Sequence, residues 1–324
     1  MKRHAGACLA PFFLIATAGA QTWPSKPLRI VTPFPAGGGT DFVARIAAQK
    51  LGEQLGQNVL VDNRAGAGGI IGTELAARAP GDGYTLLMGS NGPLAILPNL
   101  RTKLPYDVNR DLAPIGLVCV MPYVFVVHPV LPVKNVKELV ALAKSRPGQL
   151  NYGSPGIGAT NHLSVELLKT LAGIDLVHVP YKGVPPALAD LVAGQVQFMS
   201  GDLSTVLPQV KAGRLRALAT TGLKRSSLVP ELPTVAENGV PGYEATGWFG
   251  LLAPAGLDKE LVNRLNASLV RGVADKDARS RLTALGGDVM TGTPDQFAAH
   301  IRAESAKWAK IITVARVKSS PTGS

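Results

Sequence analysis

The chain has 324 residues, 33 of them lysine or arginine and 22 aspartate or glutamate, for a formal net charge of +11. Basic and acidic residues are interspersed, and no basic stripe carries aromatic partners, which argues against a nucleic-acid binder. At roughly 150 residues per domain, the length suggests two domains.

The first twenty residues read as a secretion signal. Lys2, Arg3 and His4 form a basic start, Leu9 to Ala16 an apolar core, and Ala18-Gly19-Ala20 a small-residue cleavage site, so cleavage is expected after Ala20. The apolar core is too short for a membrane anchor, which needs roughly 20 residues. Cys8 leaves with the leader, and Cys119 alone cannot form an intrachain disulfide. Cys119 sits in the apolar run from Ile115 to Val120 and reads as a buried small hydrophobe.

The mature chain alternates strand, turn and helix. Leu28–Val31 is a first strand, and it empties into Pro33-Phe34-Pro35-Ala36-Gly37-Gly38-Gly39-Thr40-Asp41. Thr40 is the expected N-cap of the following helix, and Asp41 lies in its first turn, four residues before Arg45. Phe42, Val43, Ile46, Ala47, Leu51 and Leu55 form one buried stripe. Asn58–Val61 and Tyr84–Met88 are further strands, ending in small-residue loops at Asn63–Gly69 and Gly89–Pro93. In an open parallel sheet such loops gather at the carboxyl edge, where ligands bind.

The valine-rich run from Ala113 to Val130 favours strand, interrupted by Pro114, Pro122 and Pro129. The design then repeats in what reads as a second α/β sheet. Gln149–Tyr152 leads into a second glycine turn, Gly153 to His162, whose helix carries Leu163, Val165, Leu167, Leu168 and Leu171. Leu176–Val179, Val196–Met199 and Leu215–Ala219 are strands. Helices are expected from Lys259 to Val273 and from Pro294 to about Val314, with a disordered tail from Lys318. Chain crossings near Tyr123–Val127 and Tyr243–Leu251 divide the mature chain into residues 21–122 plus 244–324, and residues 123–243.

A helix start presents unpaired N–H groups and the positive end of a dipole. Glycine lets a ligand approach that backbone closely. Two such starts facing across a cleft would clamp a small anion without any charged side chain. A hydrogen bond to a charged partner contributes roughly 1.5–3 kcal/mol, and a helix start about 0.3–2 kcal/mol. Four bonds and two helix starts approach the roughly 8 kcal/mol of a micromolar complex.

Enzyme signatures are missing. Gly66-Ala67-Gly68-Gly69-Ile70-Ile71-Gly72 follows a strand, but its spacing is not the dinucleotide fingerprint. Gly153-Ser154-Pro155-Gly156 lacks the nucleophile-elbow spacing. His128, His162, His178 and His300 are scattered, without paired metal spacing. No catalytic residue, metal or cofactor is expected.

Taken in order, several segments carry a resemblance. They are Ile30–Asp41, Asn63–Gly69, Tyr152–Leu163, His178–Gly183, Lys211–Leu218, Leu232–Glu237, Trp248–Gly256 and Glu304–Trp308. The chain resembles the Bug-type solute-binding receptors of tripartite tricarboxylate transporters from about Trp23 to Ile312. The resemblance implies an α/β fold, a two-domain periplasmic binding protein of type II that closes like a flytrap on a ligand cleft between the domains. It implies a non-enzymatic, monomeric receptor for a small carboxylate (a di- or tricarboxylate, an acidic amino acid or an aromatic acid). The partners would be integral membrane transporter subunits, with a membrane sensor kinase as the alternative.

It also implies a site. Ala36, Gly37, Gly38 and Thr40 on one side, and Ser154, Gly156, Gly158, Ala159 and Thr160 on the other, would hold the carboxylate. Beyond what the resemblance implies, a carboxylate held this way places the rest of the ligand in the cleft, where Phe34, Ser90, Asn91, His162, Tyr181, Lys182 and Asp202 are expected to choose among ligands. Plainer roles stand beside these: Phe34 packing the turn, His162 bonded locally, Lys182 solvated. Asp41, which has a counterpart in the family, serves either as ligand group or as helix-start stabiliser. Many relatives carry a Phe-Asp-type pair in the loop where this chain has Ser200-Gly201-Asp202.

Overall fold

The computed structural model describes residues 23–101 and 103–315. The expected leader and polar tail lie outside the described residues. The elements in chain order are β1 (Leu28–Thr32), α1 (Gly39–Leu55), β2 (Val59–Asn63), α2 (Ile70–Ala77), β3 (Thr85–Ser90), α3 (Leu97–Leu100), α4 (Val108–Asp111) and β4 (Leu112–Val127). Next come α5 (Val136–Ser145), β5 (Asn151–Ser154), α6 (Thr160–Ala172), β6 (Val177–Pro180), α7 (Val184–Val192), β7 (Phe198–Asp202), α8 (Leu203–Lys211) and β8 (Arg216–Thr220). The chain closes with β9 (Thr246–Pro254), α9 (Lys259–Ala274), α10 (Lys276–Ala284), β10 (Asp288–Val289) and α11 (Pro294–Ala315).

The strands form one sheet in the order β2-β1-β3-β9-β4-β7-β5-β6, with β8 and β10 also paired to β4. β1 runs parallel between β2 and β3, and β5 runs parallel between β6 and β7. The two trios therefore have the same topology, with the strand that feeds a glycine turn in the middle of each. That is the arrangement in which an open parallel sheet presents loops at its carboxyl edge.

The two expected sheets are joined through β4. Leu112 to Pro122 pair antiparallel with β9, and Tyr123 to Val127 pair with β7 on one side. Prolines do not end this strand. Pro114 sits where the register with β9 shifts, and Pro122 pairs with Thr246, the first residue of β9. Bulges and strand ends are where a residue without an N–H is tolerated.

Packing follows the predicted stripes. Val43, Ala44, Ile46, Ala47 and Leu51 of α1 are buried against Leu28 and Ile30 of β1 and Leu265, Leu269 and Val273 of α9. On β4, Phe125 packs edge-on to Phe198 at 5.0 Å and to Tyr243 at 5.6 Å. Cys119 is fully buried, and burial pushes its thiol up to about 12. No helix among the described residues is long and apolar enough to cross a membrane.

Candidate functional site

The first turn is built by side chains that turn inward. Asn63 at the end of β2 donates from Nδ2 to Thr32 Oγ1 at 2.6 Å, to the Phe34 carbonyl at 3.1 Å and to Asp41 Oδ1 at 3.1 Å. Asp41 Oδ2 accepts from the Gly37 N–H and from Arg45 Nε, each at 3.0 Å. Burial alone would raise the Asp41 carboxyl; the bonds from Arg45, Gly37 and Asn63 outweigh it and hold the group below its usual range. Asp41 is thus committed to shaping the loop. The N-cap of α1 is Gly38, in extended conformation and with no side-chain cap bond, rather than the expected Thr40. Thr40 lies one residue inside the helix and is buried.

The second turn has the same logic with different residues. Ser154 Oγ lies 2.6 Å from His178 Nε2 and accepts from the Gly156 N–H at 3.1 Å. The Gly158 N–H donates to His162 Nδ1 at 3.3 Å. His162 and His178 stack at 4.1 Å, and His178 stacks on Tyr152 at 4.8 Å. Burial drives both imidazoles down to about 3, helped at His162 by Lys169 and at His178 by the neighbouring imidazole, so both are neutral near pH 7. Gly156 and Gly158 adopt φ values of 139° and 83°, a region that favours glycine. The N-cap of α6 is Ala159, again without a side-chain cap bond.

Both uncapped helix starts open on one cavity of about 30 Å³, room for about two water molecules. Phe34, Gly38, Gly39, Thr40 and Ser90 line it from one side, and Pro155, Ala159, Thr160, Asn161, Val184 and Asp202 from the other. Tyr123 of β4 and Phe249 of β9 also line it. The buried Tyr123 hydroxyl stands beside Thr160, and burial holds its proton firmly. Asp202 is 4% exposed, faces the Gly39 N–H, and is pushed up to about 6 by burial.

A second chamber of about 240 Å³ adjoins the first, sharing Phe34, Pro35 and Pro155. Gly66 to Gly69, Arg101, Gly156, Tyr181 and Lys182 line it.

Of the sequence-predicted residues, Phe34, Gly38, Thr40, Ser90, Ala159, Thr160 and Asp202 meet at the inner cavity. Gly156, Tyr181 and Lys182 border the outer chamber, where Tyr181 donates its hydroxyl to Asp190 Oδ2 at 2.7 Å. Ala36, Gly37, Asp41, Ser154, Gly158 and His162 line neither. Asn91 is occupied elsewhere: its Nδ2 donates to Glu304 Oε2 at 2.7 Å and its Oδ1 accepts from the Trp248 N–H at 2.8 Å. Tyr123, Asn161, Val184 and Phe249 are cavity residues the site reading missed. For Tyr123 and Phe249 a signal existed, since both fall in the segments expected to carry the chain crossings.

The sides of the cleft meet at glycines. A Cβ on Gly39 would stand 3.0 Å from Asp202 Oδ1, one on Gly68 2.5 Å from the Ile157 carbonyl oxygen, and one on Gly183 2.4 Å from Pro35 Cγ. Among the described residues no group of three His, Cys, Asp or Glu side chains is placed to hold a metal ion.

Residues 43–316 match the family model described as the tripartite tricarboxylate transporter family receptor. Among solved structures, Rpa4515 of R. palustris with adipate is 37% identical with a TM-score of 0.89, covering 91% of this chain and 99% of that one. The periplasmic binding protein BugD is 36% identical with a TM-score of 0.87, covering 91% and 99%. MatC of Rhodopseudomonas palustris with bound malate is 33% identical with a TM-score of 0.85, covering 90% and 100%. The α/β periplasmic-binding-protein fold expected from the sequence is the fold observed. The family model matches most of the chain, so this chain belongs to the tripartite tricarboxylate transporter receptor family.

Proposed function

We propose that the protein is an exported receptor that captures a small carboxylate between the N-termini of α1 and α6 and delivers it to a membrane transporter. The observation that carries this reading is that both helices start uncapped, at Gly38 and Ala159, on the same cavity. Capping side chains normally satisfy such N–H groups; here a ligand oxygen would do so. The helix dipoles favour an anion at both starts. The adipate and malate bound to the relatives Rpa4515 and MatC are small carboxylates, which supports the ligand class.

In this reading two lobes, residues 21–122 plus 244–324 and residues 123–243, move about β4 and β9. A cavity of about 30 Å³ cannot take up a dicarboxylate while closed, so the lobes part to load it and close over it. Closure excludes water and strengthens each polar contact. Nothing is converted: the carboxylate leaves as it entered. The leader directs the chain to the periplasm, where the mature protein works as a monomer that docks on transporter subunits.

Calorimetric titration of the mature protein with adipate, malate, single amino acids and the corresponding uncharged amides tests this. Micromolar, one-to-one binding of at least one carboxylate is expected. Binding only of ligands without a carboxylate would overturn it.

A further inference from the structure

Asp202 occupies the N-cap position of α8 but makes no cap bond to its own helix. Aspartate at an N-cap ordinarily accepts from the N–H two or three residues on. Here the side chain turns away from that site and crosses the cleft to face the Gly39 N–H at the start of α1. It is 4% exposed. No lysine, arginine or histidine side chain lines the inner cavity with it. The walls around it are apolar or neutral: Phe34, Tyr123, Val184 and Phe249 are its neighbours in the lining.

A buried carboxylate without a cation is costly, and burial has already raised its proton affinity, to about 6. A ligand with two carboxylates would add two negative charges to a closed site that holds one and has no positive side chain. A ligand with one carboxylate and one cationic nitrogen fits the charges instead. Its carboxylate bridges the N–H groups of Thr160 and Asn161 at the start of α6 and that of Thr40 at the start of α1, and its cation pairs with Asp202.

We propose that Asp202 makes this receptor select zwitterionic ligands, a carboxylate plus a cationic nitrogen as in amino acids, over dicarboxylates. This rests on the reading of the cleft as a carboxylate receptor. The relatives Rpa4515 and MatC hold dicarboxylates, adipate and malate, which makes these the comparison ligands for the test.

The test titrates the mature wild-type protein and D202N with the twenty common amino acids, γ-aminobutyrate and glycine betaine, and with succinate, malate and adipate. For the wild type, at least one zwitterion binds at least tenfold more tightly than any of the dicarboxylates. In D202N that affinity falls at least tenfold while dicarboxylate affinity improves. D202S, which keeps a small polar side chain and removes the charge, behaves like D202N, and circular dichroism of both variants matches the wild type. Dicarboxylates binding the wild type more tightly than every zwitterion overturns the proposal and leaves the carboxylate-receptor reading standing. Zwitterion affinity within twofold of wild type in both variants also overturns it. Binding of neither class overturns the proposal as well.

Discussion

Gly158, in the turn before α6, packs directly on Leu97 of α3 across the cleft: a Cβ added to Gly158 would stand 2.3 Å from Leu97 Cδ2 and 2.9 Å from its Cγ. Leu97 is fully buried and has nowhere to retreat. Gly158 also has φ 83°, where a side chain is strained whatever the space. Gly158→Val therefore holds the two sides apart. Ligand affinity drops at least tenfold by calorimetry, while the far-ultraviolet circular dichroism spectrum is retained.

Gly38 behaves differently, although it belongs to the same kind of turn. Its φ is −98°, and the nearest atoms to an added Cβ, in Pro35 and Val184, stand at 3.9 Å. Gly38→Ala leaves affinity within about threefold of wild type, roughly 0.6 kcal/mol. A tenfold loss in this variant would mean that ligand or closure needs the space beside Gly38.

The asymmetry between these glycines could not be read from the chain. Both glycine turns, the strands that feed them and the long α1 and α11 helices were legible, because their patterns are local: apolar periods, glycine runs and proline stops. The repeated strand–turn–helix order also anticipated the matched trios around β1 and β5. What could not be seen was set by distant residues. Leu97 and Gly158 are far apart in sequence, and so are Gly39 and Asp202. The strand β4 was obscured because Pro114 and Pro122 read locally as breaks, whereas a register shift and a strand end absorb them. Thr40 was a reasonable cap by residue type, yet the helix begins earlier because Asp41 and Asn63 fold the preceding loop tightly.

Asn91 is a structural tie rather than a ligand selector. It joins β3 to β9 through Trp248 and to α11 through Glu304, which also accepts from Trp308 Nε1 at 3.1 Å. Asn91→Ala leaves the buried Trp248 N–H without this acceptor. An unsatisfied buried group costs about 1–3 kcal/mol, so urea denaturation should show a loss of about 2 kcal/mol. Affinity for the ligand stays within about twofold, roughly 0.4 kcal/mol.

The stacked imidazoles of His162 and His178 give stability a defined pH dependence. Burial lowers both from 6.5 to about 3 in the folded protein. The unfolded chain therefore binds protons at these positions first. Their contribution is complete above about pH 6.5 and is lost progressively as pH falls towards 3. Melting temperature falls between pH 6.5 and 4, on the order of 5–10 °C. His178→Gln flattens this decline, because one of the two groups no longer titrates. A wild-type melting temperature that is level over this range would contradict the neutral stack.

Cys119 is chemically silent in the folded state. Its thiol is fully buried in β4 and held protonated well beyond neutral pH. A thiol-specific chromogenic reagent leaves the native mature protein unlabelled at pH 8 and titrates one equivalent after unfolding in guanidinium.

A crystal structure of the mature protein with a bound carboxylate tests the central claim most directly. The account predicts ligand oxygens within hydrogen-bond distance of backbone N–H groups at Gly38–Thr40 and at Ala159–Asn161 together. A carboxylate seated instead in the outer chamber beside Arg101 and Lys182, with both helix starts free of ligand, would contradict it.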